Sequence, residues 1–89
     1  MNTYHVRQVG EYLLEYSQGD RAIQLEIDWR DPVPAFSFEQ VSRWNPPYHL
    51  EPIDRTSQLL IFKRISEWLR QHGYERIYIS GHGYVDATD

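Results

Sequence analysis

The segment from Asp54 to Gly73, DRTSQLLIFKRISEWLRQHG, leaves a chain of this length few options. It is the only long run with helical periodicity and a stop signal at its far end, so every strand elsewhere must find a place against it. At about 100° per residue, Gln58, Ile61, Phe62, Ile65, Trp68, Leu69 and His72 share one sector, while Lys63, Arg64, Ser66, Glu67, Arg70 and Gln71 fall outside it. That spacing predicts an amphipathic helix with one buried face. Asp54 suits the N-cap, because its short carboxylate can accept from the free amides of the first turn, and Gly73 suits a left-handed stop. Arg70 and His72 complement the negative end of the helix dipole. Leu59 and Leu60 lie off the apolar sector, so a helix packed on one sheet leaves them to solvent, to the preceding loop or to a partner.

A helix of this kind needs a sheet, and 89 residues supply one domain, 1–89, with one modest core. Three Trp and seven Tyr give that core large building blocks. No cysteine is present, which excludes disulfides, thiolate metal sites and cysteine nucleophiles and fits a reducing compartment. The first residues lack a basic segment followed by an apolar run, and nowhere do eighteen apolar residues follow one another. The expectation is a cytoplasmic protein without a membrane partner. A net charge of −4, from nine basic and thirteen acidic residues, argues against a nucleic-acid partner, whose binders carry basic stripes.

The sheet begins with a loosely alternating strand over residues 3–9, Tyr4 and Val6 pointing inward. Two better alternating runs then flank Gly19-Asp20, where glycine at the first central position suits a two-residue turn of the II′ type. That turn sets Gln18 against Arg21 and places Tyr16 opposite Ile23, Leu14 opposite Leu25 and Tyr12 opposite Ile27 on one apolar face. The other face then collects Glu15 across from Gln24, Leu13 across from Glu26 and Glu11 across from Asp28. Four carboxylates without a nearby lysine make this either a solvated outer surface or a docking surface.

Pro32 and Pro34 make residues 30–34 a loop, and residues 35–41 alternate again, Phe36 and Phe38 on one side. The connection up to Asp54 holds three prolines and suits neither helix nor central strand. Within it Trp44-Asn45-Pro46-Pro47-Tyr48 forms a rigid aromatic knuckle, either a lid in which Trp44 plugs the core or an interface patch with Tyr48 and Leu60. After the helix, residues 74–80 put Ile77 and Ile79 on one face and Tyr78 on the other, and residues 81–89 form a tail that is mobile or adds a short edge strand. The fold class is therefore α+β: an antiparallel meander of about four strands, one long helix on one face, then a final strand.

Catalytic chemistry finds no support. His5, His49, His72 and His82 are scattered over different elements without metal-ligand spacing, no GxSxG elbow is present, and the paired carboxylates sit where nothing desolvates them. No catalytic residue, metal or cofactor is expected.

Ser42-Arg43-Trp44-Asn45-Pro46-Pro47, then Glu51-Pro52-Ile53-Asp54, then a charged amphipathic helix with Ile61, Arg64 and Ile65, resembles the W-x-P-P … E-P-I pattern of bacterial immunity proteins from polymorphic toxin systems, the immunity protein 74 family. The resemblance covers about a third of the chain. It implies a non-catalytic protein that binds and neutralises a cognate toxin domain by occlusion. Residue by residue, the candidates for that contact are Glu11, Glu15, Glu26 and Asp28 on the acidic face and Trp44, Tyr48 and Leu60 around the proline loop. An acidic face favours a target with a basic cleft, such as a nuclease. The alternative is a small accessory or regulatory protein-binding domain with no toxin partner.

Overall fold

A computed structural model describes residues 3–30 and 33–86. Three strands, β1 (Tyr4–Gly10), β2 (Leu13–Gln18) and β3 (Arg21–Glu26), form an antiparallel meander. The β2–β3 register follows the turn: Gln18 faces Arg21, Tyr16 faces Ile23 and Leu14 faces Leu25. Gly19 sits at φ 62° while Asp20 keeps a negative φ, the combination a II′ turn requires.

Tyr12 departs from the expected inward row. Its backbone still pairs, the Ile27 N–H donating to the Tyr12 carbonyl at 3.0 Å, but its side chain is 60% exposed. The residue lies in the turn entering β2, next to a register shift between Gln8 and Gly10, and a shift of that kind breaks strict alternation.

The expected fourth meander strand is shorter and pairs differently. β4 (Ala35–Ser37) meets β3's extension only at Asp28 and Ala35, which exchange reciprocal backbone bonds of 2.9 Å. The chain then enters a 3₁₀ turn (Phe38–Val41). The physical reason is periodic: a strand would send Phe38 and Val41 to opposite faces, whereas a three-residue period puts both on the core side. Val41 is fully buried and Phe38 stacks against Phe62 at 5.7 Å.

α1 (Arg55–Arg70) carries the chain over the sheet, and β5 (Arg76–Ser80) returns parallel to β4, as a helical crossover permits. β6 (Gly83–Asp86) pairs antiparallel with β5. The tail expected over residues 81–89 thus supplies an edge strand as far as Asp86, and residues 87–89 lie outside the described residues, as do Asp31 and Pro32 of the loop expected over 30–34. The result is α+β: two three-stranded sheets, joined at Asp28–Ala35, with one helix.

The Asp54 carboxylate accepts from the Ser57 N–H at 2.8 Å, and Gly73 adopts φ 96° beyond the last turn. Ile61, Phe62, Ile65 and Leu69 join Leu14, Tyr16, Ile23, Leu25, Ile27, Phe36, Ile77 and Ile79 in one core. Ser66, expected outside, is fully buried, while Trp68 is only partly so. The buried arc is therefore rotated by about 30° toward Ser66 relative to the apolar sector read from the sequence. Serine tolerates this place because it is small and its Oγ donates to the Lys63 carbonyl at 2.7 Å. Leu60, on the far side, is 45% exposed.

Candidate functional site

One helix covers one face of these sheets. The opposite face alternates with the buried row, so register alone assigns its residues. On the first sheet it carries Arg7 beside Glu15, then Gln24, Leu13 and Glu26; on the second, Tyr78 beside Ala35 and Tyr84. Asp28, paired with Ala35, joins the two halves.

The carboxylates on this face are not uniformly unopposed. β1 lines up Arg7 with Glu15, and the guanidinium donates from Nε to the carboxylate at 2.9 Å. The hairpin alone offers no lysine near these carboxylates; β1 adds an arginine beside one of them. Asp28 holds Arg30 at 2.9 Å. Among the described residues Glu26 and Glu11 have no ion-pair partner. Glu11 lies in the turn between β1 and β2, where its carbonyl accepts from the Trp29 indole N–H at 2.8 Å.

Between β3 and β4 the backbones part on either side of the Asp28 bridge. On the β4 side of Glu26 no strand is paired; instead the Gln40 side chain substitutes for one, its Oε1 accepting from the Glu26 N–H and its Nε2 donating to the Glu26 carbonyl at 3.1 Å. The gap is an open groove of about 730 Å³ lined by Tyr12, Leu13, Glu26, Asp28, Arg30 and Ser37 among others. Beyond β4, Tyr78 and Tyr84 meet edge-on at 5.2 Å, and Tyr84 is 59% exposed.

The proline loop lies elsewhere. The Asn45 N–H donates to the Ala22 carbonyl at 2.8 Å, so the loop runs along the free edge of β3. Trp44 stacks on Tyr16 with ring centroids 6.4 Å apart and packs against the core, as a lid would. Tyr48 is held at the hairpin tip: its hydroxyl donates to Asp20, and the Arg21 guanidinium sits 4.2 Å over its ring while donating to both Glu51 oxygens. The bond to Tyr48 lowers the Asp20 pKa and raises that of Tyr48, and Glu51 raises that of Arg21. Of the seven residues singled out from sequence, Glu15, Glu26 and Asp28 share the open face, Glu11 lies in the turn between β1 and β2, Trp44 and Tyr48 line the β3 edge, and Leu60 sits on the far side of α1.

Sequence reasoning missed Tyr12, Arg30, Gln40 and Tyr84 at this face. For Tyr84 a signal existed: Ile77-Tyr78-Ile79 turning through Gly81-His82-Gly83 to Tyr84 is a hairpin that sets the two tyrosines opposite each other. Gln40 had none, because its role depends on β3 lying alongside.

A second polar cluster lies toward the helix. Arg64 Nη1 donates to the Tyr16 hydroxyl at 2.7 Å and to Gln18 Oε1 at 3.2 Å, the Tyr16 hydroxyl donates to Gln18 Oε1 at 2.8 Å, and the guanidinium covers the Tyr4 ring at 4.4 Å. Burial raises the Tyr16 pKa, with Arg64 acting in the opposite direction. Among the described residues no buried side-chain polar atom lacks a partner, and the Arg64 bonds of this cluster run between the helix and the sheet, so it reads as structural.

The histidines remain apart: His72 stacks on Trp68 at 4.1 Å and His82 on Phe38 at 5.7 Å. Among the described residues no three His, Asp or Glu side chains gather as metal ligands, and no helix is long and apolar enough to cross a membrane. Comparison with protein-family models, with curated proteins and with solved structures finds no match to this chain.

Proposed function

We propose that this chain is an immunity-type protein, which binds a cognate toxin domain and neutralises it by occlusion, using the outer sheet face. The observation that carries this reading is that face itself. It has no helix across it, it holds a groove, and it joins carboxylates at Glu26 and Asp28 to exposed rings at Tyr12, Tyr78 and Tyr84. Tyrosine supplies contact area at low entropic cost, and the Glu26 carboxylate, which has no ion-pair partner among the described residues while Asp28 holds Arg30, steers a basic partner. The loop offers less to a partner, because Trp44 is packed against the core and Tyr48 is bonded to the hairpin tip.

The test is co-purification with the C-terminal domain of the protein encoded by the neighbouring gene, together with growth of cells expressing that domain. Replacing Glu15, Glu26 and Asp28 with lysine is expected to slow association and remove protection while leaving the fold intact. Association at an unchanged rate in low salt would refute the use of this face, and absence of both binding and protection would refute neutralisation.

A further inference from the structure

We propose that the groove between β3 and β4 is a slot for one basic side chain, arginine or lysine, presented by a loop of the partner protein. The inference rests on the outer face being the docking surface and names what that surface recognises.

The chemistry is laid out along the groove. Tyr12 and Leu13 provide apolar surface for the methylene stem of a long cationic side chain, and such stems pack on apolar surface while their heads seek charge or water. The exposed Tyr12 ring adds a face over which a cation is attracted. Two carboxylates, Glu26 and Asp28, line the same groove. The chain's own Arg30 already lines it with its Nε 2.9 Å from Asp28, so a guanidinium fits here. One internal cation leaves Glu26 unmatched among the described residues, and an incoming cation completes the balance. The groove also has an inner wall: Gln40 ties up the Glu26 backbone, so a visiting loop finds a side-chain slot there and no open strand edge.

The same charges argue against a second copy as occupant. Two copies meeting through this face would set carboxylates against carboxylates in a protein of net charge −4.

The probe is a capped Gly-Arg-Gly peptide titrated into the full chain by amide NMR at low salt, with capped Gly-norleucine-Gly and Gly-Glu-Gly as comparisons. The expected result is saturable shifts confined to Tyr12, Leu13, Glu26, Asp28 and Ser37 with the arginine peptide alone. Glu26→Gln is expected to weaken binding about tenfold, and Tyr12→Ala to weaken it with the fold retained. Equal shifts at Asp20, Glu51 and Glu75 would show nonspecific attraction and overturn the slot. So would equal binding of the norleucine peptide, or shifts at the same residues on simple concentration of the protein, which would assign the groove to an apolar ligand or a second copy. Saturable binding without protection from any toxin removes the neutralisation reading and keeps the slot; protection with scattered shifts does the reverse.

Discussion

Replacing Arg64 with methionine should cost about 2 kcal/mol of stability, although Arg64 lies outside the hydrophobic core. Methionine keeps an unbranched stem and nearly the same helix propensity, so the change isolates the guanidinium. The lost interactions are a charged bond to the Tyr16 hydroxyl at 2.7 Å, a longer one to Gln18 at 3.2 Å, and the contact over the Tyr4 ring at 4.4 Å. A hydrogen bond to a charged donor contributes about 1.5–3 kcal/mol net and a cation over a ring about 0.5–1 kcal/mol. Arg64 is only partly buried, so regained hydration and side-chain freedom offset part of that sum. Tyr16→Phe alone should cost about 1 kcal/mol, because the freed guanidinium can still reach water. In the double variant the two losses should overlap by about 1 kcal/mol, since both remove the same bond. Urea unfolding followed by tryptophan fluorescence reads all four corners of this cycle at neutral pH, with an unchanged slope against denaturant. An Arg64→Met variant within about 0.5 kcal/mol of the parent, or strictly additive losses, would refute the claim that this cluster fastens β1 and β2 to the helix.

The raised pKa of Tyr16, due first to burial, fixes the sign of an alkaline effect: the stability it contributes is complete below the unfolded value near 10.0 and is lost as pH rises through the higher folded value. Thermal unfolding of Tyr16→Phe against pH should show a shallower alkaline decline, and an unchanged decline would refute the assignment. Asp54 has the opposite sign, because its pKa is lowered by the Ser57 amide; its contribution holds above the ordinary carboxylate value near 3.8 and fades as pH falls through the lower folded value. Asp54→Ala should lower the melting temperature at neutral pH, Asp54→Asn should restore most of it, and equal melting of all three would show the cap to be idle. Gly19→Ala should cost about 1–2 kcal/mol through backbone conformation alone, since a Cβ there meets no atom within 4 Å at φ 62°. D-alanine at the same position should fold as well as glycine, and a loss with D-alanine would point to a contact instead of a torsion.

The parts of this fold that could be read from residues are those settled by near neighbours. Gly19-Asp20 and the alternation around it determine the β2–β3 register, because a slip of one residue would carry Tyr16, Leu14 and Leu25 to solvent. The helix was legible for the same reason: Asp54, the apolar sector and Gly73 are features of one segment. What was not legible depends on segments far apart in the chain. The parallel pairing of β4 with β5 waits on the helical crossover, the Arg7–Glu15 pair on which edge of the hairpin β1 occupies, and the bond from Arg64 to Tyr16 on how the helix rotates over the sheet.

The candidate site divides along the same line. A single helix of 16 residues, about 24 Å long, covers only one face of a sheet, so an open outer face follows from one helix and several strands. That Glu15, Glu26 and Asp28 lie on it follows from the hairpin register and the alternation carried beyond it. The groove that gives those carboxylates an apolar wall has no local cause. It arises where β3 must pass from one sheet to the next through a single bridge at Asp28 and Ala35, and where Gln40 occupies the place a longer fourth strand would have filled. A full-length β4 paired along β3 would close that gap, leaving Glu26 and Asp28 as ordinary solvated charges on a flat sheet. The capacity to select a particular side chain therefore comes from the interruption of the meander, and the 3₁₀ turn that interrupts it is held in place by Phe38 and Val41 reaching the core.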